Sequence, residues 1–571
     1  MGMIFHSLID INEASLKLNN IRKIDDVEVI NINDAIGRIS AEDVFSRMPL
    51  PLYSRSQVDG YAVLHDDLLN ADYNKPVRLK LAGETYIGEK AVKHPGHGYC
   101  IKVPTGGIIP IGADAMVPFE DTENESDYIK FIKPVEIFNE ISNAGVDLIS
   151  GELIINKYKM IDERDIAVLA STGQSRLKVL RRLSIGIIPT GDELINPGDD
   201  YIPGKIYDSS ASMYSELKKY PAFSVIKYNI AKDSYDEISN AIHRSVNEND
   251  VTVTIGSTSA GDRDMVYKIL ENISPGIIFH GLRVKPGKPM AAGINKDKLI
   301  LAMPGFPVSS MMLLYSLVIP ALFNMLHYNY KICTVNGITG STFRLHRGYT
   351  DLMLVRAVKR DNLYVFYPVP GDSGSITRIK RANGFSIIRS ENDYLKKGSS
   401  LEAHLFNNDV PEILFYGQYY PYLNINLNYA FVEAGYNNII ESMKNHEADV
   451  YISNYSDIDH QDYYSIKKSV EYGLCKNSDK RDIIAVLYNG SGLYERSKPL
   501  LKNFRSVLYM ENPYTVSYYV NEKRCDAGIT YKIYSDLYKM PFESLGFIDF
   551  NFYISRNSKY FKVIYNEIEK L

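Results

Sequence analysis

Apolar positions recur at helical spacing over residues 8–19 (LIDINEASLKLN), and the pattern runs on through 30–45. That predicts an amphipathic helix and its continuation. From about 73 to 140 the period shortens to strand-like runs such as VRLKLAG and AMVPF, punctuated by Gly and Pro, which predicts a small β-rich region. Residues 162–172 (DERDIAVLAST) return to helical periodicity. Between about 180 and 325 the pattern alternates strand, loop and helix. Strands are predicted at 183–188, 223–228, 251–255, 277–284 and 298–303, with helices at SSASMYSELKKY and DMVYKILENI. Apolar strands alternating with helices argue for a parallel α/β sheet. Residues 330–405 read as β again, and 407–412 (NNDVPE) read as a linker into a last domain. The longest apolar run, 311–322 (MMLLYSLVIPAL), is too short to span a bilayer and contains Pro320, so it reads as a buried helix.

A chain of 571 residues exceeds what one hydrophobic core organises, so several domains are expected. With 45% apolar and 23% charged residues it is neither disordered nor fibrous. Lys and Arg number 64 against 69 Asp and Glu, a net charge of −5, which excludes bulk affinity for nucleic acid. The excess of tyrosine, 44 with no tryptophan, reads as compositional drift rather than a binding device. Cys100, Cys333, Cys475 and Cys525 form no C-x-x-C pair, so neither a zinc site nor a redox pair is signalled. So few cysteines, and a start in which Asp10 and Glu13 follow a short apolar patch, lead us to expect a cytoplasmic protein with no signal peptide and no membrane association.

Four turn-rich segments each follow a predicted strand: 189–193 (PTGDE), 256–261 (GSTSAG), 285–289 (KPGKP) and 304–307 (PGFP). In open parallel sheets ligands sit at the carboxyl ends of the strands, so all four would line one edge. Gly191, Gly256, Gly261 and Gly305 let backbone come close to a ligand, and Pro304 stands beside the last of them at the same edge. Successive N–H groups through Ser257, Thr258 and Ser259 would form an anion cradle. The loop is not a Walker A motif, because Asp262 and Arg263 stand where Lys and Ser/Thr are required. Lys285 and Lys288 flank a rigid Pro-Gly step and can converge on one anion. Asp192, Glu193, Asp208 and Asp264 lie after strands or at helix starts, with Asp59 and Asp147 earlier in the chain. Each alone reads as a cap or a surface charge. Acids beside an anion cradle suggest Mg2+ bridging carboxylate and phosphate oxygens.

The motifs SQVDGYAV, PTGGIIPIGADAMV, PTGDEL, IYDSS, GSTSAGDRD, VKPGKP and MPGFPVSS occur in that order. Over about residues 1–405 the chain resembles the molybdopterin molybdenumtransferase family. The resemblance implies an enzyme that inserts molybdate, or tungstate, into adenylylated molybdopterin with Mg2+, releasing AMP. It implies a multidomain α/β fold and a homodimer. Residues 1–48 and 145–178 would form a discontinuous domain, 49–144 a β-rich insertion, 179–330 the three-layer parallel α/β domain and 331–405 a small β-barrel. Residue by residue, Asp59, Asp147, Glu193, Asp264, Lys285 and Lys288 would be catalytic, with Glu193 and Asp264 on the metal. Thr105 matches the family's T-G threonine, and Arg356 and Ser373 look like barrel residues that help hold the oxyanion.

Ser142, Ser210, Ser257 and Phe306 depart from the family pattern, where arginine, asparagine, glycine and asparagine are expected. Residues 411–571 resemble the periplasmic-binding-protein-like domain fused to some archaeal members, through ADVYI at 448–452 and CDAGI at 525–529. Two competing readings are a molybdopterin adenylyltransferase, whose single domain would correspond to 180–325, and a non-catalytic oxyanion sensor or scaffold.

Overall fold

The computed structural model describes residues 8–257, 265–389, 391–455, 458, 461–478, 480, 482–487, 492–510 and 512–571. These divide into two compact units, one up to Lys331 and one from Ile332.

In the first unit, helix Ile11–Asn19 starts where Asp10 accepts the N–H of Asn12, and it buries Ile11, Ala14 and Leu18. The predicted continuation over 30–45 is not helical. Val27–Asn31 is a strand paired antiparallel with Arg176–Leu180, and the Asn31 side chain then closes a 3-10 turn over Ile32–Asp34. An alternating V-E-V-I-N run pairs better than it coils, and a local Asn cap competes with helix extension. Helix Glu163–Ser171 begins in a capping box between Asp162 and Asp165. Its Leu169 joins Val44, Ile155 and Val179 in one core, which draws the first 45 residues onto the segment around 150–180. Between them in sequence lies a separate six-stranded sheet built from Gly60–Val63, Val77–Glu84, Tyr99–Val103, Ala115–Pro118, Thr122–Glu125 and Tyr128–Phe131.

The α/β region carries a six-stranded sheet in the order Phe223–Lys227, Leu183–Pro189, Val251–Ile255, Lys298–Met303, Ala291–Asn295, Pro275–His280. The first four are parallel, and Ala291–Asn295 runs antiparallel to both of its neighbours, so the sheet is mixed where an all-parallel one was expected. The cause is a two-residue turn. Asn295 pairs with Lys298, and Lys296 and Asp297 between them take φ of 50° and 65°. Such a turn can join only antiparallel neighbours. Strand Ala291–Asn295 (AAGIN) has little β-propensity of its own and is held by its two partners. Behind the sheet, the apolar run around 311–322 is a buried helical rod. It reads Pro307–Leu313, a π turn at Leu314–Val318, then Ile319–Met325. Pro320 lacks the N–H that an α-turn needs, and the π turn absorbs the defect. Among the described residues this is the one helix long and apolar enough to cross a membrane, and 78% of its most apolar window is buried inside the protein.

The second unit opens with a closed five-stranded barrel. Its strands run Thr350–Arg360, Leu363–Pro368, Thr334–Thr339, Ser400–Leu405, Gly384–Arg389, and the last pairs back to the first. Val355, Ala357 and Phe366 fill its interior. Residues from Ile413 onward form an eight-stranded sheet. Two central antiparallel strands of 14 residues each, Tyr463–Lys476 and Phe542–Ser555, separate two sets of shorter strands. Val358 and Tyr367, on the outside of the barrel, share a core with Leu414, Tyr416, Ala430 and Tyr451.

That junction is fastened by a buried ion pair. Asp449, 4% exposed, accepts from Arg360 Nη1 at 2.7 Å, from the Leu414 N–H at 2.9 Å and from Ser558 Oγ at 2.7 Å. Arg360 also donates to the carbonyl of Glu447 at 2.9 Å. Removing one partner of a buried pair leaves the other without compensation. Asp449→Ala is therefore expected to cost about 3 kcal/mol, read as a lower urea midpoint for the unit from Ile332. An unchanged midpoint would mean that the carboxylate does not fasten the junction.

Candidate functional site

Three of the four turns meet at the carboxyl ends of the parallel strands. Strand Leu183–Pro189 delivers Thr190, whose N–H donates to the Ile255 carbonyl at 2.9 Å and whose hydroxyl donates to the same oxygen at 3.2 Å. Strand Val251–Ile255 delivers Gly256, whose N–H donates to the Met303 carbonyl at 3.1 Å. Gly256 has φ of +104°, and a Cβ there would lie 2.4 Å from the Thr190 carbonyl oxygen. A Cβ on Gly305 would lie 3.4 Å from the Gly256 Cα. Backbone therefore packs on backbone across the rim, with no room for a side chain at Gly256.

Ser257 follows at φ +49°, the left-handed region that the family's glycine favours. Holding serine there costs about 1 kcal/mol, and its hydroxyl gains a hydrogen bond to the Asp233 carboxylate. The other Asp233 oxygen accepts the Asp192 N–H at 3.3 Å, and Asp192 accepts the Asp233 N–H at 3.2 Å. Sequence reasoning passed over Asp233. The usable signal was its position just after a parallel strand and just before helix Tyr235–Glu248. Glu193 is exposed, and its carboxylate folds back so that a Cβ on Gly191 would meet Oε2 at 2.7 Å. Lys205 donates to the Asp192 carbonyl.

Asp208 is 1% exposed and serves the local fold. It accepts the Ala211 N–H at 2.9 Å and faces Lys227 Nζ at 2.5 Å. Ser210, which replaces the family's asparagine, keeps a hydrogen-bonding role by donating to the Gly305 carbonyl at 2.7 Å. Lys285 and Lys288 are half-buried on their turn, where a Cβ on Gly287 would meet Leu313 Cδ1 at 2.9 Å. The turn is thereby pressed against the helix that begins just after Pro304 and Gly305. Phe306 is the N-cap of that helix, 61% exposed and without a capping side chain.

The early residues gather elsewhere in the same unit. Asp59 Oδ1 accepts the Thr105 N–H at 2.8 Å, and both residues are exposed. Asp147 is exposed, with its N–H on the Leu50 carbonyl at 2.9 Å. Among the described residues no hydrogen bond or ion pair joins these three to the rim. Ser142 stands directly opposite Arg55 in a two-residue strand pairing, so a cation neighbours the position where the family's arginine is missing. Ser373 is half-buried on the barrel, and Arg356 lies on the barrel's outer face. Thr258, Ser259, Gly261 and Asp264 lie outside the described residues.

Among the described residues no three His, Cys, Asp or Glu side chains cluster as a metal cage. The rim does fit Mg2+ by its donor chemistry. Mg2+ uses one or two carboxylates and takes its other ligands from phosphates and water. Glu193 offers an exposed carboxylate folded back beside Gly191 at the rim, and no described cation pairs with it.

A mixed α/β domain with a glycine-lined rim, a β-rich insertion and a closed five-stranded barrel define a multidomain α/β protein. Three family models match in succession: the MoeA N-terminal region (domains I and II) over residues 9–173, a probable molybdopterin binding domain over 186–324, and the MoeA C-terminal region (domain IV) over 336–406. The chain belongs to the MoeA family. It is 33% identical over 292 residues to a putative molybdopterin biosynthesis protein of Methanocaldococcus jannaschii, covering 50% of this chain and 71% of that one. It is 27% identical over 410 residues to the molybdopterin molybdenumtransferase of Bacillus subtilis, covering 70% and 95%. A crystal structure of the molybdopterin biosynthesis MoeA protein of Pyrococcus horikoshii OT3 superposes with TM-score 0.61 at 26% identity, over 70% of this chain and all of that one. Membership carries the transferase role in molybdenum cofactor biosynthesis expected from the sequence.

Two outcomes follow from this geometry. Gly256→Ala forces a Cβ into the Thr190 carbonyl, so stability should fall by about 2 kcal/mol and turnover should be lost; a variant with both intact would mean that the rim contact is not needed. Phe306→Asn supplies the missing cap and should raise stability by about 1 kcal/mol, read as a higher unfolding midpoint.

Proposed function

We propose that this chain inserts molybdate or tungstate into adenylylated molybdopterin in a Mg2+-dependent reaction that releases AMP. The observation carrying this reading is the close meeting of Thr190, Gly256 and Gly305 at one rim, where the exposed Glu193 carboxylate folds back over Gly191. The loop that follows Gly256 would supply N–H groups to phosphate oxygens without needing a side chain. Glu193, with Asp264, would hold Mg2+, which would offset negative charge as the phosphoanhydride is cut. Lys285 and Lys288, on a turn pressed against the neighbouring helix, would hold the molybdate dianion. Two fixed ammonium groups favour a dianion over water. The dithiolene sulfurs that receive the metal belong to the substrate, so no protein thiolate is needed. Burial pushes the Cys100 thiol up to about 12, in keeping with an inert cysteine.

Asp59, Thr105 and Asp147 enter the same reading through a homodimer, in which one subunit offers its exposed Asp59–Thr105 pair to the rim of the other. For residues 411–571 we infer a periplasmic-binding-protein-like domain. Two sets of parallel strands joined by two long antiparallel strands suit two lobes and their crossovers.

The test is incubation of the full chain with adenylylated molybdopterin, molybdate and Mg2+. AMP release with cofactor formation is expected. AMP transfer from ATP onto molybdopterin would favour an adenylyltransferase, and binding without turnover a sensor. Glu193→Gln should lose at least a hundred-fold in rate while unfolding at the same midpoint. Mixing inactive Asp59→Asn with inactive Glu193→Gln should restore part of the rate, since one site of each mixed dimer is intact. No recovery after subunit exchange would rule out a shared site.

A further inference from the structure

The outer face of the barrel carries two arginines: Arg381, and Arg356, which the family resemblance linked to holding the oxyanion and to which the reading of the rim assigns no part. Arg356 lies on strand Thr350–Arg360, on the face opposite the interior residues Val355 and Ala357. Arg381 ends the short helix Thr377–Arg381 and is exposed. Both line a cavity of about 850 Å³ whose wall is shared between barrel residues such as Tyr367 and Lys397 and the C-terminal region, which contributes Tyr416, Tyr419, Tyr429 and Phe431. That volume is in the range of small-molecule sites, about 300–1,000 Å³, and exceeds what a bare tetrahedral anion fills.

Three other cations near this junction are paired with acids: Arg360 is held by Asp449 at 2.7 Å, Lys397 pairs with Glu447, and Lys559 meets Glu412 at 2.8 Å. Arg356 and Arg381 are not. Among the described residues neither has a hydrogen bond or ion pair, and the Arg356 Nε is buried with no acceptor. A buried donor left unmade costs about 1–3 kcal/mol, and a like-charged neighbour adds to the cost. The Arg356 guanidinium is held below the ordinary arginine range by burial, with Tyr429 opposing the shift and the Arg381 charge adding to it. The acids that also line the cavity are Glu433, Glu441 and Glu447. Glu447 is committed to Lys397, and neither of the others reaches an arginine. Guanidinium pairs bind carboxylate and phosphate oxygens through forked N–H groups, and a tyrosine-rich wall accepts an apolar or aromatic body.

We propose that the cavity between the barrel and the C-terminal sheet binds a small organic anion, with its carboxylate or phosphate between Arg356 and Arg381 and its apolar body against Tyr416, Tyr419, Tyr429 and Phe431. This goes beyond the transferase reading and does not depend on it. The test is calorimetric titration of the full chain with phenyl phosphate and with benzoate, using inorganic phosphate and benzyl alcohol as controls. At least one aromatic anion should bind saturably, and at least ten-fold more tightly than either control. Arg381→Gln, at an exposed position where folding is not at risk, should weaken that binding at least ten-fold, as should Arg356→Gln if it folds. Glu193→Gln should leave it unchanged. The proposal is overturned if neither aromatic anion saturates, if inorganic phosphate or benzyl alcohol binds as tightly, or if Arg381→Gln binds like the parent. Phenyl phosphate binding without benzoate, or the reverse, identifies the anionic group.

Discussion

Direct packing of main chain on main chain at the end of the α/β sheet is the constraint on which the candidate site rests. Thr190, Gly256 and Gly305 approach so closely that a methyl group at 256 would overlap a carbonyl oxygen. Parallel strands in register bring the starts of their loops to one height, and glycine lets those loops touch. The chemistry at such a rim is set by backbone dipoles, which need no reorganisation when a charged ligand arrives. The side chains around it then have secondary tasks. Ser210 fixes the Gly305 carbonyl, and Asp233 steadies both Ser257 and Asp192.

The amino ends of the strands are held by a different device that recurs in both units. Asp250, Asp449 and Asp526 each stand immediately before a strand, and each carboxylate accepts the N–H of the first or second residue of a neighbouring strand. The bonds run from Ser184 at 2.9 Å, from Leu414 at 2.9 Å and from Ile483 at 3.0 Å. Two of the three also take an arginine, Arg181 on Asp250 at 2.6 Å and Arg360 on Asp449 at 2.7 Å. A carboxylate at this position satisfies an amide that has no ladder partner and fixes the register from its first residue. Register errors at the start of a strand would carry through to the rim, so the distant aspartates bear on the geometry of the loops.

Much of this was legible in order along the chain. The strands Leu183–Pro189, Val251–Ile255 and Lys298–Met303 are apolar runs bounded by glycine and proline, and they form where periodicity put them. The helix Glu163–Ser171 announced itself by its helical periodicity over 162–172. What escaped was set by tertiary contact or by turns too short to weigh. Ala291–Asn295 is a strand because of its neighbours, and Lys296 and Asp297 reverse the chain in two residues, which converts the sheet from parallel to mixed. Residues 30–45 carry helical spacing, yet a cross-strand partner 145 or more positions away claims Val27–Asn31. In the candidate site, Gly256 and Gly305 were readable as close-approach residues. Asp233 was not, because nothing in a lysine-aspartate-serine step announces a partner 24 residues downstream.

The contrast between Arg360 and Arg356 bears on what the C-terminal sheet does to the barrel. Both arginines leave the same strand toward the same neighbour. Arg360 meets a carboxylate, a carbonyl and a packed surround, so its charge serves cohesion. Arg356 meets a cavity and another cation. A fold selected only to fasten these two parts would gain by replacing Arg356 with an apolar residue of similar size, since uncompensated buried charge is among the more expensive features a junction can hold. Its presence is accounted for if the missing counter-charge is supplied from outside. Binding there would then tighten the junction in proportion to ligand concentration over affinity. It could influence the core only to the extent that the ligand prefers one arrangement of the barrel over another. Occupancy and coupling are therefore separate quantities, and a filled cavity without differential affinity would stabilise the unit while leaving the transferase reaction unmoved.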